Sequence, residues 1–247
     1  MIEGTTQPKR TGRVRLLLVL GVGVVVLASV AGIALRQQSN PTGPPAAIRV
    51  SGLPPAISTD LANLMQLGTL PGTPAPEFAL IDQNGTKVSL NDYRGRAVVL
   101  EFMDPNCVDI CPIVSQEYLL AYRALGADAA KVAFLAINVN PFHLDPAAMD
   151  KYSIAHGLAA IPSWRFLGGP LPEVQNAWAA YHVQVKAPNP TADVVHTSVV
   201  YFIDPQGRER YLAFPMVDHT ASGSAFLPAG TQQQWSTGLA LVLRSLL

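Results

Sequence analysis

The chain has 247 residues, 49% of them apolar, and its 17 Lys+Arg balance 17 Asp+Glu for a formal net charge of +0. A balanced charge offers no basic field for a phosphate backbone, which excludes nucleic acid as an expected partner. With Cys107 and Cys111 as its only cysteines, the chain is not a disulfide-stapled scaffold either, and the pair is better explained by chemistry.

Residues 1–15 are polar and carry Lys9, Arg10, Arg13 and Arg15, after which Leu16 to Leu35 runs twenty residues without a charge. That length spans a bilayer, and cations before it predict a cytoplasmic N-terminus at 1–15, a single transmembrane helix at 16–35 and an extracytoplasmic remainder. The chain is thus expected at the cell membrane, single-pass. The rival reading is a cleaved signal peptide, with Ala28, Ser29 and Ala31 imitating a cleavage site, although its apolar core would normally be about 7–15 residues. Residues 36–69 are rich in Pro, Gly, Ser and Ala, with Pro41, Pro44, Pro45, Pro54 and Pro55 blocking regular structure, and read as an extracytoplasmic linker. A short helix near Thr59 to Leu67, capped by Ser58 or Thr59, is the one element expected there.

Residues 70–247 form the expected folded domain. Apolar runs at Pro76–Asp82 and Thr86–Leu90 flank Asn84-Gly85, which predicts an N-terminal β-hairpin. A buried strand follows at Ala97 to Met103, then the cysteine corner, a helix from near Pro112 to about Leu125, and a second buried strand at Lys131 to Val139. Asp145 to His156 reads as a helix, Trp164 to Leu167 as a strand, Leu171 to Tyr181 as a helix and Val194 to Ile203 as a strand. The turn Asp204-Pro205-Gln206-Gly207 returns the chain antiparallel at Arg208 to Phe214, and Gln232 to Leu247 makes a final helix. The order describes an α/β sheet with parallel strands inside and an antiparallel hairpin at one end.

Cys107 and Cys111 lie where the first central strand turns into a helix. Outward-pointing amides of a first helical turn favour thiolates, so a lowered thiol pKa is expected. The CxxxC spacing is about one helical turn, which lets both sulfurs face one side. Such a pair suits Cu(I) or zinc, can close a disulfide, or can simply be buried as structural cysteines. In an extracytoplasmic compartment the thiols need a reducing partner or they oxidise.

A dithiol at the end of the first central strand is the arrangement of a thioredoxin-like fold. Cys107-Val108-Asp109-Ile110-Cys111-Pro112, together with His196 in Val195-His196-Thr197-Ser198 and the following Tyr201 to Gly207, resembles the Sco/SenC family over about Leu70 to Leu247. Members are membrane-anchored copper proteins that help assemble the binuclear copper centre of cytochrome c oxidase. The resemblance implies Cys107 and Cys111 as copper-binding and redox-active cysteines and His196 as the distal ligand, with Val195 standing where members usually carry an aspartate. It implies copper as the cargo, as Cu(I) and also as Cu(II). A copper-receiving oxidase subunit and a thiol reductant are the implied partners.

Two functional classes follow. One is a metallochaperone that delivers copper to, or prepares the thiols of, the oxidase centre; the other is a membrane-tethered thiol:disulfide oxidoreductase. Counting back from Asp204, the place of the cis-proline of thioredoxin-type reductases falls on Ser198, and Asp104 replaces the threonine that a peroxidatic cysteine would want. Peroxidase chemistry is therefore not expected, and the CxxxC spacing, the missing cis-proline and His196 favour metal delivery. His143 and His219 are alternative ligands, His156 and His182 are expected to be structural, and Asp104 and Asp109 are expected to be solvated loop acids.

Overall fold

The structure, a computed structural model, describes residues 52–247. The expected cytoplasmic segment 1–15 and membrane span 16–35 lie outside the described residues. Among those described, no helix is long and apolar enough to cross a membrane.

The frame of the domain is β4 (Ala97–Met103) beside β5 (Val132–Asn138), both buried at every residue. They pair in parallel from Ala97↔Val132 to Met103↔Asn138. Strands covered on both faces need continuous apolar content, which is why Val98, Val99, Leu100 and Phe102 show no alternation. β6 (Trp164–Gly168) continues the parallel set on β5. Beyond β6 lies the expected hairpin, β2 (Ala79–Asp82) with β3 (Lys87–Ser89). Its turn is held by Asp82 Oδ1, which accepts the amides of Asn84 at 2.9 Å and Thr86 at 2.8 Å.

The other edge carries the expected antiparallel return after Asp204 and adds a strand from the stretch read as linker. β9 (Val200–Ile203) runs antiparallel to β4, β10 (Glu209–Ala213) antiparallel to β9, and β1 (Gly68–Thr69) antiparallel to β10. The sheet order is β1-β10-β9-β4-β5-β6-β2-β3, so antiparallel pairs close both edges and not one. The single strand expected over Val194 to Ile203 is broken into β8 (Val195–His196) and β9, because β8 pairs with β7 (Val185–Lys186) and Thr197 is drawn to Gln184 just before it. The Thr197 amide donates to the Gln184 carbonyl at 3.0 Å, and Thr197 Oγ1 accepts the Gln184 amide at 3.1 Å. A small pair missed in the sequence, β11 (Asp218–His219) with β12 (Ala225–Phe226), occupies the loop before the last helix.

Residues 52–69 correct the linker expectation in its described part. α1 (Thr59–Leu64), capped by Ser58 Oγ on the Leu61 amide, is the short helix anticipated, but it is not part of a tether. Ile57, Ala62, Met65 and Leu67 enter the main core beside Trp235 and Leu239 of α5 (Ala229–Arg244). A Cβ on Gly238 would stand 2.3 Å from Met65 Sδ, so the glycine is what lets α5 come this close. The apolar residues of 57–67 were legible, and the groove that receives them was not.

α2 (Ile110–Leu125) lies beside α5 on the same face of the sheet. Cys111, Val114, Tyr118, Ala121 and Leu125 recur at three- and four-residue intervals and form its buried stripe. α3 (Pro146–Ala155), capped by Asp145, and α4 (Leu171–Ala180) complete the layers, the latter with Trp178 and Tyr181 on the opposite face of the sheet.

Candidate metal and thiol site

Six residues, Asp104 to Asp109, carry the chain from the end of β4 to the start of α2, and this turn sets the sulfurs. Asp104 is buried, contrary to the expectation of a solvated acid. Its Oδ1 accepts the Asn106 amide at 2.8 Å and Asn140 Nδ2 at 2.9 Å, and its carbonyl accepts the Cys107 amide at 3.1 Å. The turn is therefore fixed to both central strands. Asp109 is exposed, as expected, but is engaged: His219 Nε2 stands 2.8 Å from its Oδ1. This tie from the β11–β12 pair to the residue between the cysteines has no signal in the sequence, because it joins two loops far apart in the chain.

Helix α2 begins at Ile110, two residues before Pro112, so Cys111 itself occupies the first turn. Its amide donates to Cys107 Sγ at 3.4 Å. The two thiols are free and unequal. The Cys111 thiol donates to Cys107, which with the nearby amides brings Cys107 down to about 7 against the opposing cost of burial. As the donor, and buried at 2% exposure, Cys111 is pushed well above the ordinary thiol value. Of the two sulfurs, Cys107 therefore has the more thiolate character and Cys111 stays protonated.

His196 comes from the opposite wall on β8. Burial lowers its pKa, opposed by its bond to Thr197 and by Asp104, so the ring is neutral at physiological pH. Nδ1 lies 3.0 Å from the Thr197 carbonyl and donates to it, which leaves the Nε2 lone pair for a metal. Cys107, His196, Asp104 and Ser198 line one cleft of about 380 Å3, with Cys111 buried behind Cys107. Val108 and Val195 stand on its rim, 87% and 66% exposed. The cleft brings one sulfur and the imidazole together, but among the described residues no three His, Cys, Asp or Glu side chains are drawn into a ligating cluster.

The other histidines separate cleanly. His143 is outside the cleft and holds the loop after β5, its amide on the Asn140 carbonyl and its carbonyl on Asn138 Nδ2. His156 stacks on Tyr152, with ring centroids 4.2 Å apart. Sequence reasoning missed Glu101 and Glu117, both buried beneath the site on β4 and α2. Among the described residues, Glu101 Oε2 and both Glu117 oxygens have no hydrogen-bond partner, nor do the Tyr118 hydroxyl and Trp235 Nε1. Burial, and for Glu101 also the neighbouring Glu117, pushes both carboxyls up, Glu117 to about 8. A Glu inside a run such as Ala97 to Met103 was the available signal.

With this geometry the chain can be set against known proteins. The family model for SCO1/SenC matches residues 69–221. The SCO1 protein homolog of Bacillus subtilis is 27% identical over 133 residues, covering 53% of this chain and 68% of that protein. The mouse mitochondrial Protein SCO2 homolog is 30% identical over 137 residues, which cover 53% of this chain and about half, 52%, of its length. The solved structure of Bradyrhizobium japonicum ScoI with copper bound superposes with a TM-score of 0.54 at 28% identity, over 71% of this chain and 100% of that one. The thioredoxin-like α/β fold expected from the element order is the fold these structures share.

Proposed function

Since this chain belongs to the SCO1/SenC family, we propose that it carries copper on Cys107, Cys111 and His196 and delivers it to, or prepares the thiols of, the copper centre of cytochrome c oxidase. One observation supports this most: a thiol lowered to about 7 and a neutral imidazole with its Nδ1 turned to the Thr197 carbonyl line the same cleft, with the Cys111 amide donating to the first sulfur. Two soft sulfurs and one imidazole suit Cu(I), and Cu(II) takes a further oxygen ligand from water or carboxylate. The donor chemistry fits the cargo. Loading is expected to draw the β7–β8 pair toward the cysteine turn.

Titrating Cu(I) into the reduced protein tests the reading. The expected result is one copper per chain, lost on Cys107→Ser or Cys111→Ser; stoichiometric binding by either variant contradicts it.

The unequal thiols favour a second reading. The reduced Cys107 thiolate attacks a partner's disulfide and releases one partner thiol, and Cys111 then displaces the other, so the partner leaves as the dithiol and the chain as the Cys107–Cys111 disulfide. The chain thereby also serves as a thiol:disulfide oxidoreductase on the receiving subunit's cysteines. In either role the domain works from the membrane, anchored by 16–35 with Cys107 on the extracytoplasmic side. A reporter fused after Leu247 should be active only outside the cytoplasm, and cytoplasmic activity would overturn this topology.

A further inference from the structure

The cysteines occupy the C-terminal end of β4. At the opposite ends of the same strands, where β4 and β6 begin and α2 finishes, lies a separate concavity of about 510 Å3. That volume is within the range of small-molecule sites. Tyr93, Arg96, Tyr122, Ser163 and Arg165 supply its polar and aromatic wall, and no Asp or Glu lines it.

The two guanidiniums are held in place and are not swinging surface chains. Arg96 lies over the Tyr93 ring, Cζ to centroid 5.8 Å, and its Nη2 donates to the Val132 carbonyl at 2.6 Å. It has no carboxylate partner among the described residues, and its buried Nε has no acceptor. Arg165 donates Nη1 to the Pro162 and Trp164 carbonyls at 3.1 and 2.6 Å, and its Nε faces Asp82 Oδ2 at 3.3 Å. Asp82 therefore offsets one of the two charges and leaves the other uncompensated. The Ser163 hydroxyl is buried and unpartnered as well.

Two further acids lie nearby. Asp92, next to Tyr93, accepts the Ser89 amide at 2.7 Å and does not line the pocket. Asp128, beyond the end of α2, is taken by Lys131 at 3.0 Å and Arg244 at 3.5 Å. Arg244 also covers the carbonyls of Ala124 and Leu125, which quiets the negative end of the α2 dipole. What remains is an uncompensated guanidinium beside a second one, in a concave site walled by two phenol rings.

We propose that this pocket binds a small organic anion, a carboxylate or phosphate monoester whose oxygens meet Arg96 and Arg165 and whose body lies against Tyr93 and Tyr122. Guanidinium N–H groups pair with carboxylate and phosphate oxygens by charge-assisted bonds, and the rings supply apolar contact and select organic anions over inorganic ones. The site is independent of the cysteine chemistry. A loss of binding here says nothing against copper carriage, and the reverse holds too.

Calorimetry on the full chain at low salt, with benzoate, phenyl phosphate and inorganic phosphate as separate probes, tests the proposal. Saturable 1:1 binding of benzoate or phenyl phosphate is expected, tighter than for inorganic phosphate, and the stronger of the two organic probes identifies the head group. Arg96→Gln should weaken it about tenfold, the cost of one charge-assisted hydrogen bond. Tyr122→Ala should abolish the preference for the aromatic anions, and Cys107→Ser should leave binding unchanged. Absence of saturable binding for all three probes, or wild-type binding by Arg96→Gln with its melting temperature unchanged, overturns the proposal.

Discussion

The two sides of the cleft are built by different means. The sulfur side rests on the centre of the molecule: β4, buried along its whole length, delivers the chain to a turn pinned by Asp104, and the sixteen-residue α2 carries it away. The imidazole side hangs on β8, two residues paired only with the two of β7 and set apart from the main sheet. Few buried contacts and short ladders mark the part of a structure that opens at least cost. On the proposed function this contrast becomes a division of labour, in which the sulfurs define whether copper binds and His196 sets how firmly it is kept.

Breaking the sulfur side should have the largest effect. Phe102 is buried on β4 just before the turn, and Phe102→Ala should cost about 3–5 kcal/mol of stability, read as a lowered denaturation midpoint, and reduce copper binding with it. A midpoint within experimental error of wild type would show that β4 does not brace the turn. His196→Ala should act on the other side alone. Copper affinity should fall by about tenfold or more, the loss of one of the three proposed ligands, while Cys107 alkylation rate and stability stay near wild type. If the variant bound copper with wild-type affinity and spectrum, His196 would not be the third ligand.

The smallest expected effect on copper binding lies beneath the sulfurs, where the change is in stability alone. The Glu117 carboxyl is raised to about 8 from an ordinary 4.5, so the folded state holds a proton that the unfolded chain releases. Its contribution to stability is complete below pH 4.5 and is lost progressively as pH climbs toward 8. Glu117→Gln should flatten that part of the stability-pH curve without changing copper stoichiometry. A Glu117→Gln curve that follows wild type between pH 5 and 8 would mean the carboxyl is not the titrating group.

What could be read from the sequence follows the same division. Ala97 to Met103 was legible to the residue because a strand covered on both faces permits only apolar content, with Glu101 as the informative exception. The dithiol and its strand-to-helix corner were legible for the same reason. His196 was placed only by likeness to a family, since one histidine in a loosely patterned stretch carries no period of its own. The break between β8 and β9, the packing of 57–67 on α5, and the His219–Asp109 tie were not legible. Each depends on a partner segment more than ten residues away whose position only the fold decides.

The central claim is that one pair of sulfurs holds either copper or each other. Thiolates bind copper and a disulfide does not, so copper stoichiometry should be measured on the reduced protein, after oxidation, and after re-reduction. The account predicts one copper, none, and one again, with mass spectrometry showing the Cys107–Cys111 disulfide only in the empty state. Full copper binding by protein shown by mass to carry that disulfide would remove the sulfurs from the site and contradict the account.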